Sequence, residues 1–159
     1  MGRTASLAAV LALSIALAAC GGGKKTTPAA TNTSLPVLPG QPIPTVVGEA
    51  TVTASGLQII DTQVGTGAEA KLGDTITVQY TGYLDDGTIF DGPAIHGGPV
   101  QFALSGLIPG WQEGIPGMKA GGTRRLIIPP ELAYGEAGYG GSIPANAVLT
   151  FDVEIVSIP

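Results

Sequence analysis

Downstream of Gly56 the chain alternates apolar and polar residues in short runs separated by glycine and proline, the two-residue period of half-buried β-strands. Thr75-Ile76-Thr77-Val78-Gln79-Tyr80-Thr81 alternates strictly and places Ile76, Val78 and Tyr80 on one face. Leu149-Thr150-Phe151-Asp152-Val153-Glu154-Ile155 does the same with Leu149, Phe151, Val153 and Ile155. Shorter runs at Leu57–Asp61, Ile89–Asp91, Val100–Leu104 and Thr123–Ile128 predict further strands, and Asp85-Asp86-Gly87 predicts a chain reversal between two of them. One stretch, Gly106 to Met118, breaks the period. Pro109 suits a first helical position, while Gly114, Pro116 and Gly117 stop a helix from continuing. This short predicted helix carries the only tryptophan, Trp111. The pattern predicts an α+β domain, a curved antiparallel β-sheet wrapped around one short α-helix whose apolar turn plugs the concave face. The long segment from Glu131 to Asn146, opened by Leu132-Ala133-Tyr134-Gly135, predicts a functional loop.

The first fifty residues have a different character. Arg3 precedes an apolar run, Leu7 to Ala19, that is broken only by Ser14 and is too short for a comfortable membrane span. It reads as an export signal. Its end, Leu17-Ala18-Ala19-Cys20, resembles the lipobox of bacterial lipoproteins, which implies lipid attachment to Cys20 and cleavage before it. An ordinary secretory signal with an incidental cysteine is the alternative. Gly21 to about Ala50 is rich in Gly, Thr and Pro, cannot bury a core, and reads as a tether. The expected organisation is thus a signal peptide over 1–19, a lipidated cysteine and linker over 20–50, and a folded domain over 51–159. The implied location is extracytoplasmic, on a bacterial membrane, in the periplasm or at the cell surface.

Composition narrows the chemistry. A net charge of −5 offers no basic surface for a phosphate backbone, which argues against nucleic acid as a partner. Cys20 is the only cysteine, so no internal disulfide is possible, and His96 is the only histidine. Hydrolytic triads and zinc sites lack their residues. His96, beside Gly97-Gly98-Pro99, reads as a plain loop residue. Taken singly, Trp111, Tyr80 and Phe151 read as core and Asp91 as a solvated turn carboxylate.

Taken together and in order, these residues resemble the FKBP-type peptidyl-prolyl isomerases. The matching segments are Val78–Leu84, Asp86–Asp91, Leu107–Gly114, Pro129–Gly135, Ile143-Pro144 and Leu149–Glu154, which span Gly56 to Ile158. The resemblance implies the same sheet-around-helix fold and a proline-binding pocket. In it, Trp111 is the floor, and Tyr80, Phe90 and Phe151 are the aromatic walls. Leu107 and Ile108 flank the helix entrance, with the Ile108 N–H directed at a substrate carbonyl. Tyr134 is a hydrogen-bonding loop tyrosine, Asp91 the carboxylate at the rim, and Ile143 the loop-side wall. Val100 and Phe102 complete the substrate-binding set. The resemblance further implies proline-containing polypeptides as substrates, macrolides of the FK506/rapamycin class as possible ligands, and no cofactor or metal; the oligomeric state is not readable from the sequence, and a monomer is the default. Val100 stands where many members have an aromatic residue, Pro116-Gly117 follows the helix where many continue with less disruptive residues, and Ala145 replaces a frequent second proline. Tyr139 occupies a variable loop tip.

Two functions are compatible with this reading: an isomerase that assists the folding of exported proteins, or an FKBP-like module that binds proline-containing partners without turnover. Leu35-Pro36, Leu38-Pro39 and Ile43-Pro44 leave two readings of the tether: a stiff spacer, which is the favoured one, or a segment that enters the pocket at ~mM effective concentration where its reach allows.

Overall fold

The computed structural model describes residues 42–159. The signal segment, Cys20, Leu35-Pro36 and Leu38-Pro39 lie outside the described residues. Seven strands form one antiparallel sheet: β1 (Ala50–Val52), β2 (Gln58–Gln63), β3 (Thr75–Leu84), β4 (Ile89–Asp91), β5 (Val100–Ala103), β6 (Thr123–Ile128) and β7 (Leu149–Ser157). The order across the sheet is β1-β2-β6-β7-β3, and both β4 and β5 pair with the remaining edge of β3. Two short helices join them, α1 (Pro93–His96) and α2 (Pro109–Gly114).

The spine is the long ladder between β3 and β7, in which Tyr80 faces Val153, Gly82 faces Phe151 and Leu84 faces Leu149. Alternation puts Ile76, Val78 and Tyr80 of β3 on the same side as Leu126 and Ile128 of β6 and Leu149, Phe151, Val153 and Ile155 of β7, and all of them are buried. Each such side chain contributes about 1.5–3 kcal/mol by leaving water.

Helix α2 covers this inner face as the hydrophobic pattern predicts, with Pro109 in its first turn. Its approach depends on two glycines four residues apart. A Cβ on Gly110 would meet Ile128 Cγ2 at 2.5 Å, and one on Gly114 would meet Leu126 Cδ2 at 2.6 Å. The helix backbone therefore lies directly on β6. Arg124, forked onto the carboxylate of Asp61, also donates to the Gly114 carbonyl at 2.6 Å and so closes the helix's C-terminal end.

Two features depart from the reading of the sequence, and a third bears on the tether. The Gly/Pro-rich loop around His96 contains a second helical turn, α1, begun by Pro93 and ended by Gly97 in the left-handed conformation. Strand β1 starts at Ala50 and pairs with β2. Ile43-Pro44 does not enter the concave side. The Pro44 carbonyl accepts a hydrogen bond from Arg125, and Arg125 lies between Leu126 and Arg124 with its side chain on the outer face of the sheet. There Arg125 is buried and forked onto Asp152 of β7 through two 2.6 Å bonds.

Candidate active site

On the concave face β3, β5 and β7 bring aromatic rings against the buried Trp111 of α2. Trp111 is 3% exposed and lies flat beneath them. Tyr80 stands on it edge-on, with centroids 5.2 Å apart and planes at 88°. Phe151 does so at 5.4 Å and 86°, and Phe102 at 6.3 Å and 84°. Phe90 meets Phe151 at 5.5 Å and 84°. Such edge-to-face contacts suit the ring quadrupoles and fix each ring's tilt. The result is a cup with an indole floor and upright aromatic walls.

The helix entrance supplies the polar element. Leu107 and Ile108 are half-buried against the core. The Ile108 carbonyl accepts from the Trp111 and Gln112 amides, which starts the helix, while its own N–H meets no acceptor among the described residues. An amide left free at the mouth of an apolar cup is a donor available to a ligand carbonyl. Gln112 holds this turn in place: its side-chain amide donates to the Leu107 carbonyl at 2.6 Å and to that of Ser105 at 3.3 Å.

On the opposite rim, Tyr80 donates to Asp91 Oδ2 at 2.6 Å. Asp91 Oδ1 also accepts from the Gly92 amide at 2.9 Å. Burial first, then the bond to Asp91 and its charge, hold the Tyr80 phenol well above the ordinary phenol range, so Tyr80 stays a donor. Burial, with smaller contributions from Tyr139 and Asp91, also raises the Tyr134 phenol.

The Glu131–Asn146 segment is more ordered than a bare loop. Tyr139 and Ile143 exchange two backbone hydrogen bonds of 3.0 Å, and the Asn146 amide reaches back to the Gly135 carbonyl at 2.9 Å. Ile143 is thereby buried at 6% exposure, and the exposed Tyr139 ring stacks on Tyr134 at 4.9 Å and 28°.

Of the residues named from the sequence, Tyr80, Phe90, Phe102, Trp111 and Phe151 are joined by ring contacts and Asp91 by its bond to Tyr80, while Leu107, Ile108, Tyr134 and Ile143 belong to or pack against the same core cluster. Val100 shares a strand face with Phe102 and is half-buried, but is not packed against the core as Phe102 is. Three contributors escaped the sequence reading: His96, Gln112 and the Tyr139 ring. His96 is not a plain loop residue; its Nε2 lies 2.6 Å from Asp91 Oδ1. The available signal was Gly92-Pro93, since a helical turn starting there carries position 96 back over position 91. Among the described residues no cluster of His, Cys, Asp and Glu is arranged to hold a metal ion.

Residues 67–156 match the family model of FKBP-type peptidyl-prolyl cis-trans isomerase. The chain belongs to this family. The FKBP-type isomerase FkpA of Aeromonas hydrophila is 51% identical over 106 residues, which are 67% of this chain and 39% of that protein. The crystal structure of FkpA from Escherichia coli superposes with a TM-score of 0.65 at 45% identity, covering 69% of this chain and 51% of that one. The structure of AtFKBP13 gives a TM-score of 0.65 at 40% identity and is covered over 99% of its length by 70% of this chain. The chain thus spans about two fifths of the curated FkpA relatives and nearly the whole of the AtFKBP13 structure.

Proposed function

We propose that the protein is a peptidyl-prolyl cis-trans isomerase that rotates X–Pro bonds in extracytoplasmic polypeptides and so assists their folding. The observation that carries this reading is the set of three aromatic rings standing perpendicular to the Trp111 indole, beside an unpaired backbone donor at Ile108. A five-membered pyrrolidine ring is compact, apolar and small enough for such a cup.

Rotation about X–Pro faces a barrier of roughly 18–20 kcal/mol because amide resonance must be broken. Uncatalysed, it takes tens to hundreds of seconds. The twisted bond has lost its resonance, and its carbonyl is less polar than that of the planar amide. An apolar wall therefore disfavours the planar ground state relative to the twisted one. In this reading Trp111 seats the proline ring, and Tyr80, Phe90, Phe102 and Phe151 exclude water from the rotating bond. Leu107 and Ile143 line the flanks and Val100 the outer end. The Ile108 N–H and Tyr134 hydroxyl hold flanking carbonyls, and Asp91 fixes Tyr80 at the rim. The chemistry needs no nucleophile. Macrolides of the FK506/rapamycin class fill the same cup.

The remaining parts of the reading concern delivery. The chain is secreted through the segment 1–19, lipidated at Cys20 and tethered to a membrane by residues 20–50, leaving the 51–159 domain as a monomer that faces exported clients. Two acyl chains or more on one cysteine provide stable anchoring. Mass spectrometry of the membrane-extracted protein tests this: a mature N-terminus at Cys20 with acyl mass supports it, and an unmodified cysteine sinks it.

Activity is tested with a Leu-Pro peptide and the full chain. Acceleration that falls in Trp111→Leu, Tyr80→Phe and Asp91→Ala, with folding preserved, supports the isomerase. Saturable peptide binding with no acceleration replaces it with a binding module.

A further inference from the structure

The edge of β3 is not covered along its whole length. β5 pairs with Thr75 to Val78 and β4 with Gly82 and Tyr83, so Gln79, Tyr80 and Thr81 have no strand partner on that side. The chain bows out between β4 and β5, and helix α1 packs against β3 in the gap. Its last residue, His96, comes to rest beside Tyr80 with ring centroids 6.0 Å apart. His96 Nε2 is 2.6 Å from Asp91 Oδ1 and 3.2 Å from the Tyr80 hydroxyl oxygen, and the other Asp91 oxygen accepts the Tyr80 proton at 2.6 Å. Three polar groups thus close a ring at the rim of the cup.

We propose that His96 is a positioning residue for this pocket: it holds Asp91, and through Asp91 the Tyr80 wall, with a grip set by the protonation of its imidazole. The inference rests on reading the cup as the isomerase site.

The bonding pattern requires it. The Tyr80 hydroxyl has one proton, and that proton goes to Asp91. The Tyr80 oxygen and Asp91 Oδ1 are therefore both acceptors toward His96, so Nε2 must carry hydrogen. The imidazolium always meets that condition and adds a charge-assisted bond to the carboxylate. The neutral ring meets it in only one of two tautomers; the other turns a lone pair toward Asp91. Deprotonation consequently weakens the hold on Asp91 and leaves its charge uncompensated at the rim.

The groups that face this imidazole are Tyr80 from β3, Asp91 from β4 and, through its proximity to Asp91, Tyr134 from the loop after β6. Tyr80 and Tyr134 have raised phenol values and stay neutral through the range in which histidine titrates. Asp91 is the one carboxylate in the cluster. The His96 side chain is 35% exposed, so protons reach it from solvent. Tyr80 passes the change to the floor through its 5.2 Å contact with Trp111.

The test compares the full-length wild type with His96→Gln and His96→Arg from about pH 5.5 to 8.5, the span across which imidazoles titrate. Two readouts are taken on each: kcat/KM for a Leu-Pro peptide without titratable side chains, and Trp111 fluorescence without substrate. For the wild type, kcat/KM falls ~2- to 5-fold as pH rises, through KM, because an ion pair is exchanged for a bond from a neutral donor to the carboxylate. The glutamine variant is flat at the lower level. The arginine variant, a permanent cation, is flat at the upper level. The wild-type fluorescence has an inflection that both variants lack. Superimposable wild-type and glutamine profiles in both readouts would overturn the proposal. An inflection in fluorescence with no acceleration at any pH would sustain the role of His96 and remove the isomerase reading instead.

Discussion

Gly82 lies opposite Phe151 across the β3–β7 ladder, and the space its missing Cβ would take is occupied by two rings, with Phe90 Cζ at 2.8 Å and Phe151 Cε1 at 2.9 Å. Two walls of the cup thus meet over a residue that has no side chain. Gly82→Ala should push both rings off their edge-to-face contacts, destabilising the domain by about 1–3 kcal/mol as overpacking does. It should also lower kcat/KM toward proline peptides. Urea denaturation and the peptide assay check this, and a variant as stable and active as the parent would refute the steric account.

The seat of α2 on β6 makes a second prediction. Alanine is the better helix former by about 1 kcal/mol, so Gly110→Ala would stabilise a free helix. Here the new methyl meets Ile128 Cγ2 at 2.5 Å, on a β-branched side chain with little rotamer freedom. The expected result is a net loss of stability and a red-shifted Trp111 emission as the helix lifts. Gly106→Ala, where nothing lies within 4 Å of the added atom, is the control and should stay within about 0.5 kcal/mol of the parent.

Alkaline pH should weaken the fold in a defined way. Tyr80, Tyr83 and Tyr134 all have phenol values raised above the ordinary one, with burial the largest cause in each case. A phenol that loses its proton less readily in the folded chain contributes stability that is complete below the ordinary value, about pH 10. That stability is lost as pH rises from there toward the folded value. Urea midpoints should therefore decline above pH 10, and Tyr80→Phe should flatten part of the decline. Equal slopes for both proteins would count against the Tyr80 contribution.

Arg125 predicts how the chain ahead of β1 leaves the domain. It joins Asp152 to the Pro44 carbonyl on the face away from the cup. Arg125→Ala should cost about 1–3 kcal/mol, less than a fully buried pair because the Asp152 side chain is 35% exposed. It should also free the chain ahead of β1 for proteolysis, with kcat/KM per folded molecule unchanged. Arg125→Lys, which keeps the charge but loses the fork, should fall between the two. An unaltered cleavage pattern near Pro44 would show that the contact does not hold the chain ahead of β1.

Much of this architecture was legible in the residue pattern. The bounds of β4 and β6 coincide with the alternating runs Ile89–Asp91 and Thr123–Ile128, and the start of α2 with Pro109. These features are local: a period of two or a proline at the first turn acts on neighbouring residues alone. The cup residues were found through their order along the chain. Single positions did not reveal them, since Trp111 or Phe151 alone looks like ordinary core. His96 was misread because its partner Asp91 is reached only when the Pro93 turn folds back, which no periodicity records.

The sequence by itself determined six of the seven strands among the described residues, the short helix that carries Trp111, and the family to which they belong. The tertiary structure decided which side chains share a wall: Phe151 against Phe90 over Gly82, Tyr80 and Phe102 upright on Trp111, His96 against Asp91, and Pro44 on the far face with Arg125. Local preference acts through adjacent residues, whereas the wall contacts depend on the register of strands far apart in the chain, and the His96 contact on the turn that folds it back. A shift of one residue in strand register would turn Tyr80, Phe90, Phe102, Phe151 or Arg125 to the other side of the sheet.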